Sequence, residues 1–322
     1  IIADRRSSNQ WVPEPWQTGR EWAEPMAEAL RDLGMERARI GVVGLKSGLV
    51  THCSSIDGVV NHTALTQVMS ELPNATFDNA TDVVGFVRYV KSEEEIAFVR
   101  RSAAVAAAGL DELINLARPG VDVGVLYADV TTRLLELRSE YYPVALTLDP
   151  MGTLKPRRYT NPPIGKRLAS NALITNEVNA ILGAELTQVC QPILLGKVPD
   201  EWKPVIELQK EVYEAGLEMI KPGTAFGALK DFVNSFGPKR KIKTVIQMHG
   251  CGYGDDGPVL TAKSQGNQLR DLRIEQNNAF VWKPMAMTAD ERIQFAWGGP
   301  VLVTSKSNEA LFTRSHGMVS IC

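Results

Sequence analysis

Apolar residues recur at helical spacing through "YVKSEEEIAFVRRSAAVAAAGLDELINLARPG" (89–120), where Ile96, Val99, Ala103 and Ala106 mark one face. Ser92 with Glu95 three residues on is a capping-box pattern, and acidic residues fill the first turn, where the helix dipole favours them. Pro119-Gly120 stops the run, so the pattern predicts a helix of more than twenty residues. A second helix is predicted over "DEWKPVIELQKEVYEAGLEMI" (200–220), with Asp200 as its cap. Between the two, "ALITNEVNAILGAELTQVCQPILLG" (172–196) takes on strand character on both sides of Gly183 and predicts a hairpin. Its period of two puts Thr175, Glu177 and Asn179 on one face, while Gln188 and Cys190 share a face of the return strand. "AFVWKPMAM" (279–287) and "FAWGGPVLVTSK" (295–306) predict further strands.

An internal repeat orders these elements. "RPGVDVGVL" (118–126) and "KPGTAFGAL" (221–229) share basic-Pro-Gly-x-x-x-Gly-x-Leu, each following one helix and opening another. Duplication of one α/β half predicts a pseudo-symmetric domain over 91–322 with a cleft between its halves. Residues 1–90 mix short apolar runs such as "ARIGVVGL" (38–45) with helix-like stretches such as 19–35, and predict a separate, smaller α/β domain. The fold class is therefore α/β, or α+β.

Composition narrows the function classes. The net charge of -2, from 35 basic against 37 acidic residues, does not suggest a general binder of nucleic acid or membrane surfaces. No apolar run is long enough to span a bilayer. Four scattered cysteines without a CxxC pair fit a reducing, cytoplasmic setting and no structural zinc. The start "IIADRR" reads as the inside of a domain. Histidine is scarce, four in the chain, yet His249 stands among glycines in "MHGCGYG" (248–254), where backbone or ligand can approach the imidazole closely.

Several segments in order resemble the pita-bread superfamily of methionine aminopeptidases, prolidases, Xaa-Pro aminopeptidases and creatinase. They are "VRYVKSEEEIAFVRRSA", "VYEAGLEMIKPGTAFGAL", "MHGCGYGDDGPVL", "FVWKPMAM" and "GGPVLVTSKSNEALFT". Against that family, residues 1–90 match only the later part of a longer N-terminal domain. The peptidases hold two metal ions with two Asp, one His and two Glu. On this chain those positions fall on Glu177 or a neighbour, Gln188, His249, Lys283 and about Gly298. One Glu, one His and an amide are too few to neutralise and coordinate two divalent cations, and an ammonium at a bridging-carboxylate position repels them. Creatinase uses the fold without metal. Its catalytic His position falls on Thr160, and its two substrate-binding Glu positions fall on Cys190 and Lys283. The resemblance thus implies a pocket that prefers an anion, with no cofactor.

The expected site is His249 as acid/base, Lys283 as anion-stabilising cation, and Glu177 as either a base or the partner of Lys283. Gln188, Cys190, Thr160, Tyr253 and Arg158 are the expected substrate contacts. Each has a plainer alternative: Cys190 as a small buried residue instead of a nucleophile, Tyr253 as core packing, Arg157 and Arg158 as solvated loop charges. Asp255-Asp256-Gly257 reads as a turn, and His52, His62 and His316 as surface or structural residues. The leading expectation is a metal-independent hydrolase or lyase for a small anionic or zwitterionic substrate. It would be a homodimer in which the Trp-rich segment 11–22 helps cover the site. Two alternatives stay open: a non-catalytic binding module and a metallopeptidase of the Xaa-Pro aminopeptidase type.

Overall fold

The computed structural model describes residues 23–50, 60–150, 165–237, 240–254, 256–263 and 267–322. The chain forms two compact units, one of Ile1–Gly48 with Ile56–Val84 and one of Leu49–Ser55 with Gly85–Cys322. The first carries α1 (Ala23–Asp32), β1 (Arg39–Val42), α2 (His62–Glu71) and β2 (Thr76–Asn79). Its strands pair in parallel from Arg39↔Thr76 to Val42↔Asn79, over a small core of Ala23, Ile40, Val68 and Leu72. α3 (Thr81–Tyr89) leads from this unit into the second.

In the second unit α4 (Glu93–Leu116) and α5 (Val123–Glu136) precede β3 (Ala145–Pro150), β4 (Ala172–Leu182), β5 (Glu185–Val189) and β6 (Ile193–Leu195). α6 (Lys203–Met219) and α7 (Phe226–Ser235) precede β7 (Ile242–Val245), β8 (Met248–Gly250), β9 (Gly252–Tyr253) and the short α8 (Asn267–Asp271). The chain then runs through β10 (Ala279–Trp282), β11 (Met285–Thr288), β12 (Gln294–Ala296), β13 (Gly299–Val303), β14 (Asn308–Ala310) and β15 (Val319–Ile321). One sheet has the order β15-β6-β4-β5-β9 with β3 also on β4; the others are β14-β13-β10-β8 and β12-β11-β7.

The capping box forms: Ser92 Oγ accepts from Glu95 N and Glu95 Oε2 accepts from Ser92 N. All four stripe residues of α4 are buried. Asp200, by contrast, does not cap α6. A single 3₁₀ turn over Asp200–Trp202 comes first, and Asp200 Oδ1 lies 2.6 Å from Lys203 Nζ. Pro204, at the start of the helix, needs no capped N–H of its own.

The repeat appears atom by atom. Gly120 and Gly223 take φ of +87° and +89°, a region open to glycine at no steric cost. Gly120 N donates to Leu168 O, as Gly223 N does to Ile274 O, both at 2.8 Å. Arg167 Nη1 reaches back to Gly120 O and Arg273 Nη1 to Gly223 O, again both at 2.8 Å. Two halves built to one plan therefore make the second unit. Two apolar clusters serve them, one around α4 and α5 and one around α6 and α7.

Both predicted C-terminal strands are split, for identifiable reasons. Pro284 has no N–H to continue a ladder, so β10 ends at Trp282 and β11 begins at Met285. Gly298 separates β12 from β13 with φ +155°, and a Cβ there would lie 1.9 Å from Trp282 O. Gly298 instead exchanges two backbone bonds with Cys190, at 2.9 and 3.1 Å, joining the end of β5 to the second half.

Candidate active site

The β4–β5 hairpin turns at Gly183 and Ala184, both with positive φ as a type I′ turn requires. That turn sets Asn179 opposite Gln188. Alternation then puts Glu177, Asn179, Gln188 and Cys190 on one face. Lys283, at the break after β10, meets this face. Its Nζ lies 2.5 Å from Glu177 Oε1 and donates a second bond to Gln188 Oε1. Only 4% of the Lys283 side chain and 13% of the Glu177 side chain is exposed.

The direction of the remaining bonds follows from the ammonium. Lys283 can only donate, so the Gln188 carbonyl faces it and the Gln188 amide nitrogen faces Asn179 Oδ1, at 2.9 Å. Asn179 Nδ2 then donates to Pro143 O at 2.9 Å. The chain of donors ends with the Glu177 carboxylate against the buried Lys283 ammonium. Of the two expected roles for Glu177, partner of Lys283 is the one that forms.

Cys190 is buried beside this group, and burial pushes its thiol up to about 12, the Lys283 ammonium offsetting only part of the effect. Burial and a raised thiol both fit the plainer expectation for Cys190, a small buried residue. Tyr213 of α6 packs near Cys190, and burial likewise raises its phenol.

His249 lies on β8 opposite Val281 of β10, while Lys283 N donates to Gln247 O at 3.0 Å. That register leaves Lys283, one residue past the end of β10, two positions from His249 along the pairing. The imidazole is half-buried, and Nδ1 lies 2.8 Å from Gly250 O. A carbonyl can only accept, so Nδ1 carries a proton in this contact. Tyr253 sits on β9 across from Glu185, its ring centre 5.6 Å from the Arg88 guanidinium. Arg158 and Thr160 lie outside the described residues.

Asp256, read from the sequence as part of a turn, is instead buried between Arg88 and Lys91. Glu185 was not singled out at all; it is a buried acid on the opposite face of the same hairpin. Its alternation against Gln188 was the available signal.

Two packed halves of one plan, with the hairpin and the histidine strand between them, define a pita-bread protein. The chain belongs to metallopeptidase family M24, whose model matches residues 97–305. Among solved structures it is similar to an X-Pro aminopeptidase from Thermotoga maritima MSB8, with TM-score 0.74, 16% identity, and coverage of 95% of this chain and 81% of that one. A dipeptidase from Pyrococcus horikoshii OT3 superposes with TM-score 0.76 at 13% identity, over 95% and 80% of the two chains. Among curated proteins it is 24% identical over 231 residues to creatinase from Bacillus sp., covering 69% of this chain and 56% of that one. It is 24% identical over 215 residues to an uncharacterized hydrolase/peptidase, y4tL, of Sinorhizobium fredii, covering 63% and 52%. The chain spans about half the length of the curated relatives it matches. No helix among the described residues is long and apolar enough to cross a membrane.

The family name implies metal, and the donor set does not fit it. The ammonium of Lys283 already bonds two of the side chains at the ligand positions, Glu177 and Gln188. A divalent ion placed among them would meet one carboxylate and a cation at bonding distance. Among the described residues, no three His, Cys, Asp or Glu side chains are grouped to hold a metal.

Proposed function

We propose that the Lys283 group and His249 form a metal-independent site that hydrolyses, or eliminates a group from, a small anionic or zwitterionic substrate. The observation that carries this reading is the bonding of Lys283 Nζ to Glu177 and Gln188, a fixed cation among residues that the resemblance sets at the family's ligand positions. Glu177 neutralises the resting charge and Gln188 orients the ammonium. Negative charge that develops on a substrate oxygen beside Lys283 is then stabilised by a preorganised donor in a dry surrounding. His249 Nε2 takes a proton from the attacking water, or from the substrate carbon in an elimination, and returns it to the leaving group.

A second reading, a binding module without turnover, is favoured by the closure of the group: Gln188 and Lys283 are 4% and 3% exposed and bonded to protein acceptors and donors. One experiment separates these and the metallopeptidase alternative. Chelator-treated protein is incubated with a panel of small amino-acid-derived carboxylates and Xaa-Pro dipeptides, and conversion is followed by NMR. Turnover that survives chelator and falls at least about a hundredfold in His249→Asn, the usual share of an acid/base group, supports the proposal. Ligand line-broadening with no conversion favours the binding module, and turnover that needs added manganese or cobalt overturns the proposal.

A further inference from the structure

Behind the glycine segment that carries His249 lies a second buried charged group, which the proposed chemistry does not use. Lys91 Nζ donates to Arg88 O at 2.8 Å and to Asp256 Oδ2 at 3.3 Å, and Arg88 Nη2 stands 3.2 Å from Asp256 Oδ1. Lys91 presses directly on the segment: Gly252 has φ +152°, and a Cβ there would lie 2.2 Å from Nζ. β9 closes on β5 through Leu186↔Gly252 and Glu185↔Tyr253. Glu185 is 5% exposed, and its Oε2 is buried without a hydrogen-bond partner among the described residues. A buried, half-satisfied carboxylate is costly to keep ionised.

We propose that Glu185 is a positioning residue for the His249 segment: protonated, it keeps β9 seated on β5; ionised, it loosens that edge. The charges facing it come from every element around it. Lys91 and Arg88 favour the carboxylate, Glu95 of α4 and Asp256 oppose it, and Tyr253 lies across the strand pair. Burial outweighs the two cations and raises the Glu185 carboxyl to about 7. The ionised form is thus the one that gains most from water, and the short β5–β9 pair, which ends at Glu185↔Tyr253, is the edge proposed to open for it. The effect of this seating on proton transfer rests on the reading of His249 given above; the seating itself does not.

Hydrogen–deuterium exchange of the intact chain tests it. After correction for intrinsic exchange, protection of peptide 248–254 should fall about tenfold between roughly pH 6 and pH 8, the equivalent of one pKa unit of linkage, while α5 stays unchanged. In Glu185→Gln the fall should be absent. Protection that does not change with pH in the unmodified protein overturns the inference, whether or not the variant folds. The same fall persisting in Glu185→Gln assigns it to the imidazole of His249 itself and also overturns it. Either outcome leaves the catalytic reading of His249 to its own assay.

Discussion

Replacing Lys283 with Met tests the buried pair on which the site is built. Methionine fills much of the lysine stem but leaves Glu177 facing an apolar side chain, with 13% of its own side chain exposed. Removing one partner of a buried ion pair costs about 3–5 kcal/mol, because the other charge stays buried and unmatched. For a unit of this size, that is a fall in melting temperature of roughly 10 °C. Glu177→Gln should cost a comparable amount, since it strands the ammonium. The double variant Lys283→Met/Glu177→Gln should recover most of the loss, as it removes both charges. Urea unfolding read by tryptophan fluorescence, to which the buried Trp282 and Trp297 contribute, measures all three. Losses that simply add in the double variant would refute the pairing, because independent residues show no coupling energy.

Glu185→Gln should leave stability unchanged below the ordinary carboxylate range and raise it above neutrality. An acid held at about 7 favours the fold when protonated, and that stability is lost as pH climbs from near 4.5 through 7. The gain at about pH 8 is on the order of 3 kcal/mol, measured by urea unfolding at two pH values. Alkylation of the native chain near pH 8, mapped by mass spectrometry, should label the exposed Cys322 and spare Cys190, whose thiol lies at about 12; rapid labelling of Cys190 would contradict its burial. Gly298→Ala should destabilise by more than about 2 kcal/mol, since its Cβ would collide with Trp282 O and its backbone disfavours any side chain.

What could be read from the chain was mainly local. Ser92 and Glu95 cap α4 because the box needs only residues three apart. The Pro-Gly repeat holds because Gly120 and Gly223 face the same backbone demand in each half. Period two grouped Glu177 with Asn179 and Gln188 with Cys190; the Asn179↔Gln188 register then brings the two groups onto one face. The choice between base and ion-pair partner for Glu177 was not legible, since it depends on residues 106 positions apart. Asp256 looked like turn chemistry because Asp before Gly is common in turns; its burial is set by Arg88 and Lys91, far away in sequence. Asp200 failed as a cap because its carboxylate pairs with Lys203 instead.

The central claim is that a lysine ammonium occupies the position where this family holds metal. Its most direct test is metal analysis of the purified chain after equilibration with excess divalent manganese, cobalt or zinc and removal of unbound ions. Substoichiometric metal is expected in the native protein, unchanged by chelator and without effect on melting temperature. Two ions retained per chain, with a matching rise in melting temperature, would contradict the claim.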